Sequence, residues 1–408
     1  MFQLKRTVYP LLILAVLASA VSAPAATYYV ATNGNDESAT PTNINTPWRT
    51  VTKAVNAMVA GDTTYVRGGT YTEAGLIWFR NSGTQTAPIR LLNYPNESPI
   101  IRWSAIASTN RIQISSSRGQ NVPIGWIVVE GFEITNGWQG FKILSVHDVI
   151  IRRNNIHDTL GGIGGYGIRV TVDRNLIYRN GRFAECAVNP KTCNQDHGMY
   201  VWGSDWIITN NIVNGNLGYG IHVAGYPYNT AEYPPLASGG ADYAGARRFI
   251  IANNTVAFSA YAAGIALWQP QTVNMLVENN ILYENSQNHT GASAGIDCVS
   301  SGTGHQFRNN LFFATTPGST LRTSLCSGKA TETSWINANP LFVNAGAADF
   351  RLQAESSAIK AGYPEPLVTT DFTGAVRRQD GTNDVGAYEY GGPVDETPPM
   401  APVNLKVQ

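Results

Sequence analysis

A parallel β-helix, an all-β solenoid of stacked coils, is the fold this sequence predicts, and three observations predict it. A Gly-apolar-x-apolar phrase recurs as Gly140-Phe-Lys-Ile, Gly167-Ile-Arg-Val, Gly198-Met-Tyr-Val, Gly220-Ile-His-Val, Gly264-Ile-Ala-Leu and Gly295-Ile-Asp-Cys. A second phrase follows each: Asn154-Asn155-Ile, Arg174-Asn175-Leu, Asn210-Asn211-Ile, Asn253-Asn254-Thr, Asn279-Asn280-Ile and Asn309-Asn310-Leu. The two march together at spacings of 20 to 44 residues, with no helical pattern between them. A short strand cannot bury its apolar side alone; stacking coils solves this, because each strand pairs in parallel with its equivalent above and below. Asn suits the turns, where it tolerates unusual backbone angles and can bond its neighbour in the stack.

The elements follow in chain order. Lys5 and Arg6 precede an apolar run from Leu11 to Ala20, and Val21-Ser22-Ala23 closes it as a small-x-small site, so residues 1–23 read as a signal peptide. The run is short for a membrane span, and no later segment is long and apolar enough to make one. Residues 24–390 form the β-helix domain. Thr27-Tyr-Tyr-Val30 alternates as a first strand, and Val51, Ala54, Val55 and Met58 recur at helical spacing between Thr50 and Val59. A short helix there would cap the open end of the solenoid. Arg179–Gln195 and Tyr226–Arg247 read as inserted loops. Asp371-Phe-Thr-Gly374 and Asp384-Val-Gly-Ala-Tyr-Glu389 are expected to close the last coil, and 391–408 reads as a Pro-rich linker.

Charge is balanced, with 28 basic and 28 acidic residues, and no basic stripe marks a nucleic-acid binder. Four cysteines remain after the leader. In the oxidising compartment it implies, Cys186–Cys193 and Cys298–Cys326 is the preferred pairing of the three possible. No further Cys or His stands at zinc spacing beside Cys186 and Cys193.

Tyr28-Tyr-Val-Ala-Thr-Asn-Gly-Asn-Asp36, Trp48-Arg-Thr-Val-Thr-Lys-Ala-Val55 and Gly61-Asp-Thr-Thr-Tyr-Val-Arg-Gly-Gly-Thr-Tyr71 resemble the opening of right-handed β-helix polysaccharide lyases of the pectate and alginate lyase-like superfamily. The resemblance spans roughly Tyr28 to Tyr390 and implies a right-handed parallel β-helix and carbohydrate chemistry. It also implies a Lys or Arg base and calcium held by clustered Asp residues; that cluster is not found in this sequence. Asn33-Gly-Asn-Asp36 is the one calcium candidate, and ordinary turn chemistry is the preferred reading of it.

Strand alternation locates candidate chemistry. The x of each Gly-apolar-x-apolar phrase points outward, giving the ladder Lys142, Arg169, Tyr200, His222, Ala266 and Asp297. Trp202 and Trp268 lie two positions further on the same side. The patch suits β-elimination on a uronic-acid polymer, which needs the carboxylate neutralised, a base for the neighbouring proton and an acid for the leaving oxygen. Arg169 can grip a carboxylate with two prongs. His222 can serve as a neutral base near pH 7. Tyr200, with an unperturbed pKa of about 10, can donate a proton, or accept one if a nearby cation lowers it. Lys142 can bind the next carboxylate or act as base. His197 can orient Tyr200 or be the base itself, with Asp196 fixing its tautomer, and it aligns with Gln139, Tyr166 and Tyr219. Trp202 and Trp268 offer faces for sugar rings, and Asp196 and Tyr226 complete the substrate-binding set, Tyr226 opening a loop that can wall a groove. His157 reads as core or turn, aligned with Ile177 and Val213, and Asp297 as structural.

The expected function is thus a secreted polysaccharide lyase on an anionic polymer. A uronan C5 epimerase would use the same proton abstraction. Glycoside hydrolysis would need two carboxylates flanking the bond, where the patch offers Asp196 alone, with Asp173, Glu185 and Asp205 distant. A non-catalytic sugar-binding solenoid is the remaining alternative.

Overall fold

A computed structural model describes residues 24–116, 122–226, 245–286, 294–299, 301–378, 380 and 382–392. The leader 1–23, most of the Tyr226–Arg247 insertion and linker residues 393–408 lie outside the described residues.

Each coil lays down three short strands on three faces, all pairing in parallel with the coils above and below. The coil around Tyr200 runs Met199–Ser204, Ile207–Thr209 and Ile212–Asn214 before Ile221–Ala224 begins the next. On the first face the inward register is Ile77, Ile112, Phe141, Ile163, Met199, Ile221, Ile265 and Ile296. All eight are at most 1% exposed. Each such side chain contributes about 1.5–3 kcal/mol on burial. That stack holds the coils in register.

The corners explain the Asn phrase. Asn154, Asn175, Asn211, Asn254, Asn280 and Asn310 form a buried ladder in which each side-chain amide donates to the next carboxamide oxygen at 2.9–3.1 Å. The residue before each is left-handed: Arg153, Arg174, Asn210, Asn253, Asn279 and Asn309 have φ between 46° and 55°. Asn154, rather than Asn155, occupies the ladder, so Asn155 pairs with Leu176 and His157 with Tyr178. His157 therefore stacks on Tyr178 at 4.7 Å and bonds Asp158 and Glu133, rather than aligning with Ile177. The next corner carries a second ladder that the sequence phrases do not mark, running from Thr159 through Asn180 to Asn216.

The N-terminal expectations hold, with small shifts. Thr27–Val30 is a strand, and the helix covers Val51–Ala57, with Thr50 as its N-cap accepting from the Lys53 N–H at 3.1 Å. Both disulfides form as paired above, Cys186–Cys193 and Cys298–Cys326. The first insertion is partly helical rather than a plain loop, with a turn of helix at Phe183–Val188 clamped by Cys186–Cys193.

The C-terminal segment is the main correction to the fold. It does not close the last coil but runs back along the solenoid. Tyr363 N–H donates to Asn279. Asn253 donates to the Asp384 carbonyl. Fully buried Arg377 donates to Asn210 Oδ1 at 3.0 Å and to the carboxylate of Glu389 at 3.1 Å. Val385, Ala387, Ala358, Phe342 and Phe350 cover the outer side of the third face, over Ile212, Ala257, Ile281 and Leu311.

Candidate functional site

The outward register of the first face reads Trp78, Gln113, Lys142, Gly164, Tyr200, His222, Ala266, Asp297. Lys142, Tyr200, His222, Ala266 and Asp297 thus share the ladder expected of them. Arg169 does not. The coil Gly161–Asp173 contains two glycine phrases, and Gly162-Ile-Gly-Gly, rather than Gly167-Ile-Arg-Val, takes the strand position. Arg169 falls one corner later at φ 54°, where its guanidinium grips Asp148 with bonds of 2.8 and 2.6 Å. Arg248 and Asp205 repeat that pairing two coils on. These pairs edge a shallow groove of about 380 Å³ on the second face, floored by Ile150, Thr171, Ile207 and Ile250. The groove lies around the corner from Tyr200.

The Gly164 rung between Lys142 and Tyr200 carries no side chain. The amide of Gln139 lies over it, where a Cβ on Gly164 would stand 2.5 Å away. At about 4.8 Å per rung, Lys142 and Tyr200 stand roughly 10 Å apart. A cleft of about 80 Å³ opens beside Tyr200, lined by Gln139, Gly161, Ile163, Asp196 and His197 among others.

Around Tyr200 and His222 the structure gathers a box of rings. His222 lies 4.7 Å from Tyr200, 5.0 Å from Tyr219, 5.2 Å from Trp268 and 4.6 Å from His197, centroid to centroid. Although it points outward, it is only 5% exposed, because these rings cover it. His222 Nδ1 meets His197 Nε2 at 3.1 Å, and His197 Nδ1 accepts the Tyr219 backbone N–H at 3.1 Å. His222 Nε2 is buried with no hydrogen-bond partner among the described residues. Burial pushes His197 down to about 3. Burial, then the adjacent His197, holds His222 well below the usual imidazole range. Both rings are neutral at pH 7.

Several expected roles change. Asp196 does not reach His197; its carboxylate takes the Arg182 backbone N–H at 2.9 Å and the guanidinium at 2.8 and 3.1 Å. It is thereby committed to anchoring the disulfide-bearing insertion. His197 aligns with Gln139, Gly161 and Tyr219, not Tyr166, for the same reason that Arg169 moved. Trp202 is 6% exposed and spends its ring face on Tyr166 at 5.3 Å, so it is a wall rather than a platform. Trp268, half-buried against Tyr219 and His222, is the indole nearer solvent. Tyr226 bonds the Tyr200 hydroxyl and meets Trp202 edge-on. Tyr219 and Gln139 are the site residues not singled out as functional above. Tyr219 donates its hydroxyl to Asp297 at 3.4 Å, and burial, then the nearby Asp297 charge, pushes that phenol up to about 12. Asp297 also accepts from Thr323 at 2.9 Å.

The calcium expectation does not fit the residues present. Asp148, Asp158, Asp173 and Asp205 are each paired with an arginine. Asp36 spends its carboxylate on Arg49 and Thr50 at the helix start, and Asn35 closes a turn onto Glu37 and Ser38. Among the described residues no group of three or more His, Cys, Asp or Glu is arranged to hold a metal. No helix among them is long and apolar enough to cross a membrane.

Comparison with known proteins agrees with this architecture. Residues 28–194 match the family model described as a Pel9A-like right-handed β-helix region, and residues 114–312 match the right-handed β-helix region model. The chain is a right-handed parallel β-helix protein. An 85-residue segment, 21% of the chain, is 40% identical to pectate lyase PEL9 of Emericella nidulans. That segment spans 20% of the relative's length. The β-helix superposes on the solved structure of pectate lyase Pel9A with a TM-score of 0.62 at 19% identity, covering 89% of this chain and 96% of that one. ORF18 of Geobacillus virus E2 gives 0.50 at 11% identity, over 77% and 62%. At these identities the structural likeness speaks for the fold.

Proposed function

We propose that this β-helix is a secreted polysaccharide lyase that cleaves a uronic-acid polymer by β-elimination on its first face. The observation that carries the reading is the register-set stack of a cation, an empty rung, a phenol and an imidazole: Lys142, Gly164, Tyr200, His222. The polymer lies along the solenoid axis with a uronate carboxylate toward Lys142. Tyr200, as the phenolate, takes the proton at C5. The C5–H electron pair becomes the C4–C5 double bond, and the C4–O4 pair leaves with the oxygen. That oxygen takes the proton back from Tyr200, which returns to phenolate. Trp268 and Tyr226 supply apolar walls for the flanking rings. The disulfides fit an exported protein, and the partial identity to a pectate lyase supports an anionic substrate.

Hydrolysis is less well supported, because Asp196 is held by Arg182 and Asp297 by Tyr219 and Thr323, leaving no carboxylate pair astride the cleft among the described residues. The test is to incubate the protein with pectate, alginate and glycosaminoglycans, following ultraviolet absorbance of unsaturated ends and, separately, new reducing ends. Both rise on one acidic polymer if the proposal is right. Reducing ends without absorbance make it a hydrolase, and neither signal overturns an enzymatic cleavage role.

A further inference from the structure

We infer that His197 and the backbone N–H of Tyr219 lock His222 in the neutral Nε2–H tautomer, so that His222 serves the site as a fixed hydrogen-bond donor to a sugar carboxylate oxygen and not as its base. The inference rests on the lyase reading for its substrate, but its physical core is a chain of three donors that runs one way.

The chain starts at the main chain. A backbone N–H can only donate, so His197 Nδ1, 3.1 Å from the Tyr219 N–H, must offer its lone pair. A neutral imidazole has one N–H, so the proton of His197 sits on Nε2. That nitrogen faces His222 Nδ1 at 3.1 Å, which must therefore accept. The remaining proton of His222 then lies on Nε2. Reversing the order would place an N–H of His197 against the N–H of Tyr219, which no proton arrangement satisfies. Protonating either ring would require charge inside a box where both rings are more than nine-tenths buried. Among the described residues the groups facing His222 are His197, the Tyr200 and Tyr219 phenols and the Trp268 indole, with Asp297 reached through the Tyr219 hydroxyl. Among the described residues no carboxylate touches the imidazole to stabilise a cation.

The consequence sits at His222 Nε2. It is a buried N–H without a partner among the described residues. Such a group costs about 1–3 kcal/mol if nothing fills it, and an unsatisfied donor packed against the Tyr200 and His197 rings that line the cleft calls for an acceptor from outside. Lys142 stands three rungs from His222 and takes the carboxylate of a neighbouring sugar, while the charge that grows on the carboxylate of the sugar at Tyr200, as its C5 proton leaves, is what a fixed neutral donor at His222 stabilises. No proton is transferred from His222, so the ring need not become an imidazolate. His197 is accordingly a positioning residue.

Two measurements test this, and they fail independently of the lyase reading. With histidine-selective ¹⁵N labelling, long-range proton–nitrogen spectra of the folded protein report the tautomer of each of the six histidines, with His222→Gln and His197→Gln identifying the two signals. The expected result is Nε2–H for both from pH 5 to 8. An Nδ1–H signal for His222, or an imidazolium within that range, overturns the inference even if the protein is an active lyase. On the polymer found above, His222→Gln keeps an amide N–H near the position of Nε2, whereas His222→Phe keeps the ring volume and loses the donor. The Gln variant should stay within about 10-fold of the parent kcat, and the Phe variant should fall about 10²–10³-fold. Equal loss in both, or a parent kcat–pH profile with an acid limb near 6.5 that vanishes in the Gln variant, would make His222 the base and overturn the inference. The His197→Gln variant should lower kcat more than it changes KM, and its histidine spectrum should show His222 in mixed tautomers. A single unchanged tautomer there would remove His197 from the role.

Discussion

Replacing Asn211 with alanine tests the asparagine ladder at its centre. The Asn211 side chain donates to the Val172 carbonyl at 2.9 Å and to Asn254 Oδ1 at 2.9 Å, and accepts from the Asn175 N–H at 2.9 Å and side chain at 3.0 Å. Not all of this is lost in the variant. Asn254 Oδ1 still receives the Asn211 backbone N–H, and the Asn175 amide still donates to Ile151 and Asp173 carbonyls. The Asn175 backbone N–H and the side-chain bond to Val172 have no such replacement. At about 1–3 kcal/mol per orphaned buried group, with a small void added, the cost is roughly 2–5 kcal/mol. For a domain of this size that is a drop of about 3–6 °C in melting temperature. Asn339→Ala, an exposed turn asparagine that accepts from the Leu341 N–H, should cost less than about 1 kcal/mol. Calorimetry and urea titration on the same samples read both. A drop below about 1 °C for Asn211→Ala would mean that the ladder follows the coil geometry without stabilising it, and the reasoning about the turns would be wrong.

Three further predictions bear on the site. Tyr200→Phe should lower kcat on the cleaved polymer about 10²–10⁴-fold while shifting the melting temperature by less than about 2 °C, and full activity in a folded variant would remove Tyr200 from proton transfer. Arg169→Ala should leave kcat within about 3-fold and cost about 1 kcal/mol or less, because its guanidinium is largely exposed, Asp148 keeps its bond to His147, and the pair lies on another face; a large kcat loss would return Arg169 to the site. Acid should destabilise the protein through His197. Its imidazole titrates near 6.5 in the unfolded chain and about 3 when folded, so the unfolded state binds the extra proton and stability falls as pH drops from 6.5 toward 3. Between pH 6.5 and 5 this amounts to about 2 kcal/mol, read as the difference between parent and His197→Gln in urea midpoints at each pH, and a pH-independent difference would contradict a neutral buried ring.

The coils were legible because their two phrases are dictated by local physics: a strand with one buried side and a corner with a left-handed residue beside an amide that bonds its neighbour. The misplacement of Arg169 has an equally local cause. Gly162-Ile-Gly-Gly and Gly167-Ile-Arg-Val both satisfy the strand phrase within one coil, and only pairing with Met199 and Tyr200 decides between them. The one-residue slip at Asn154 arose in the same way, from two adjacent asparagines of which one enters the ladder. The C-terminal segment was illegible because its anchor is remote: Arg377 is paid for by Asn210, 167 residues earlier, and no local pattern announces that bond.

The site shows a different limit. Alternation along a strand says which side chains leave the core, and it placed Tyr200 and His222 side by side correctly. It does not say that an outward residue meets water. Here Tyr219 from the preceding turn, Tyr200 from one coil and Trp268 from another close over the imidazole. That cover changes the chemistry as well as the exposure. An imidazole in water near its pKa exchanges protons and can act as a base; the same ring boxed by aromatics, with its Nδ1 already accepting a hydrogen bond from His197, has only a donor left to offer. The residue types in the ladder therefore point to a site, while the direction in which each hydrogen bond runs decides what a member of it can do.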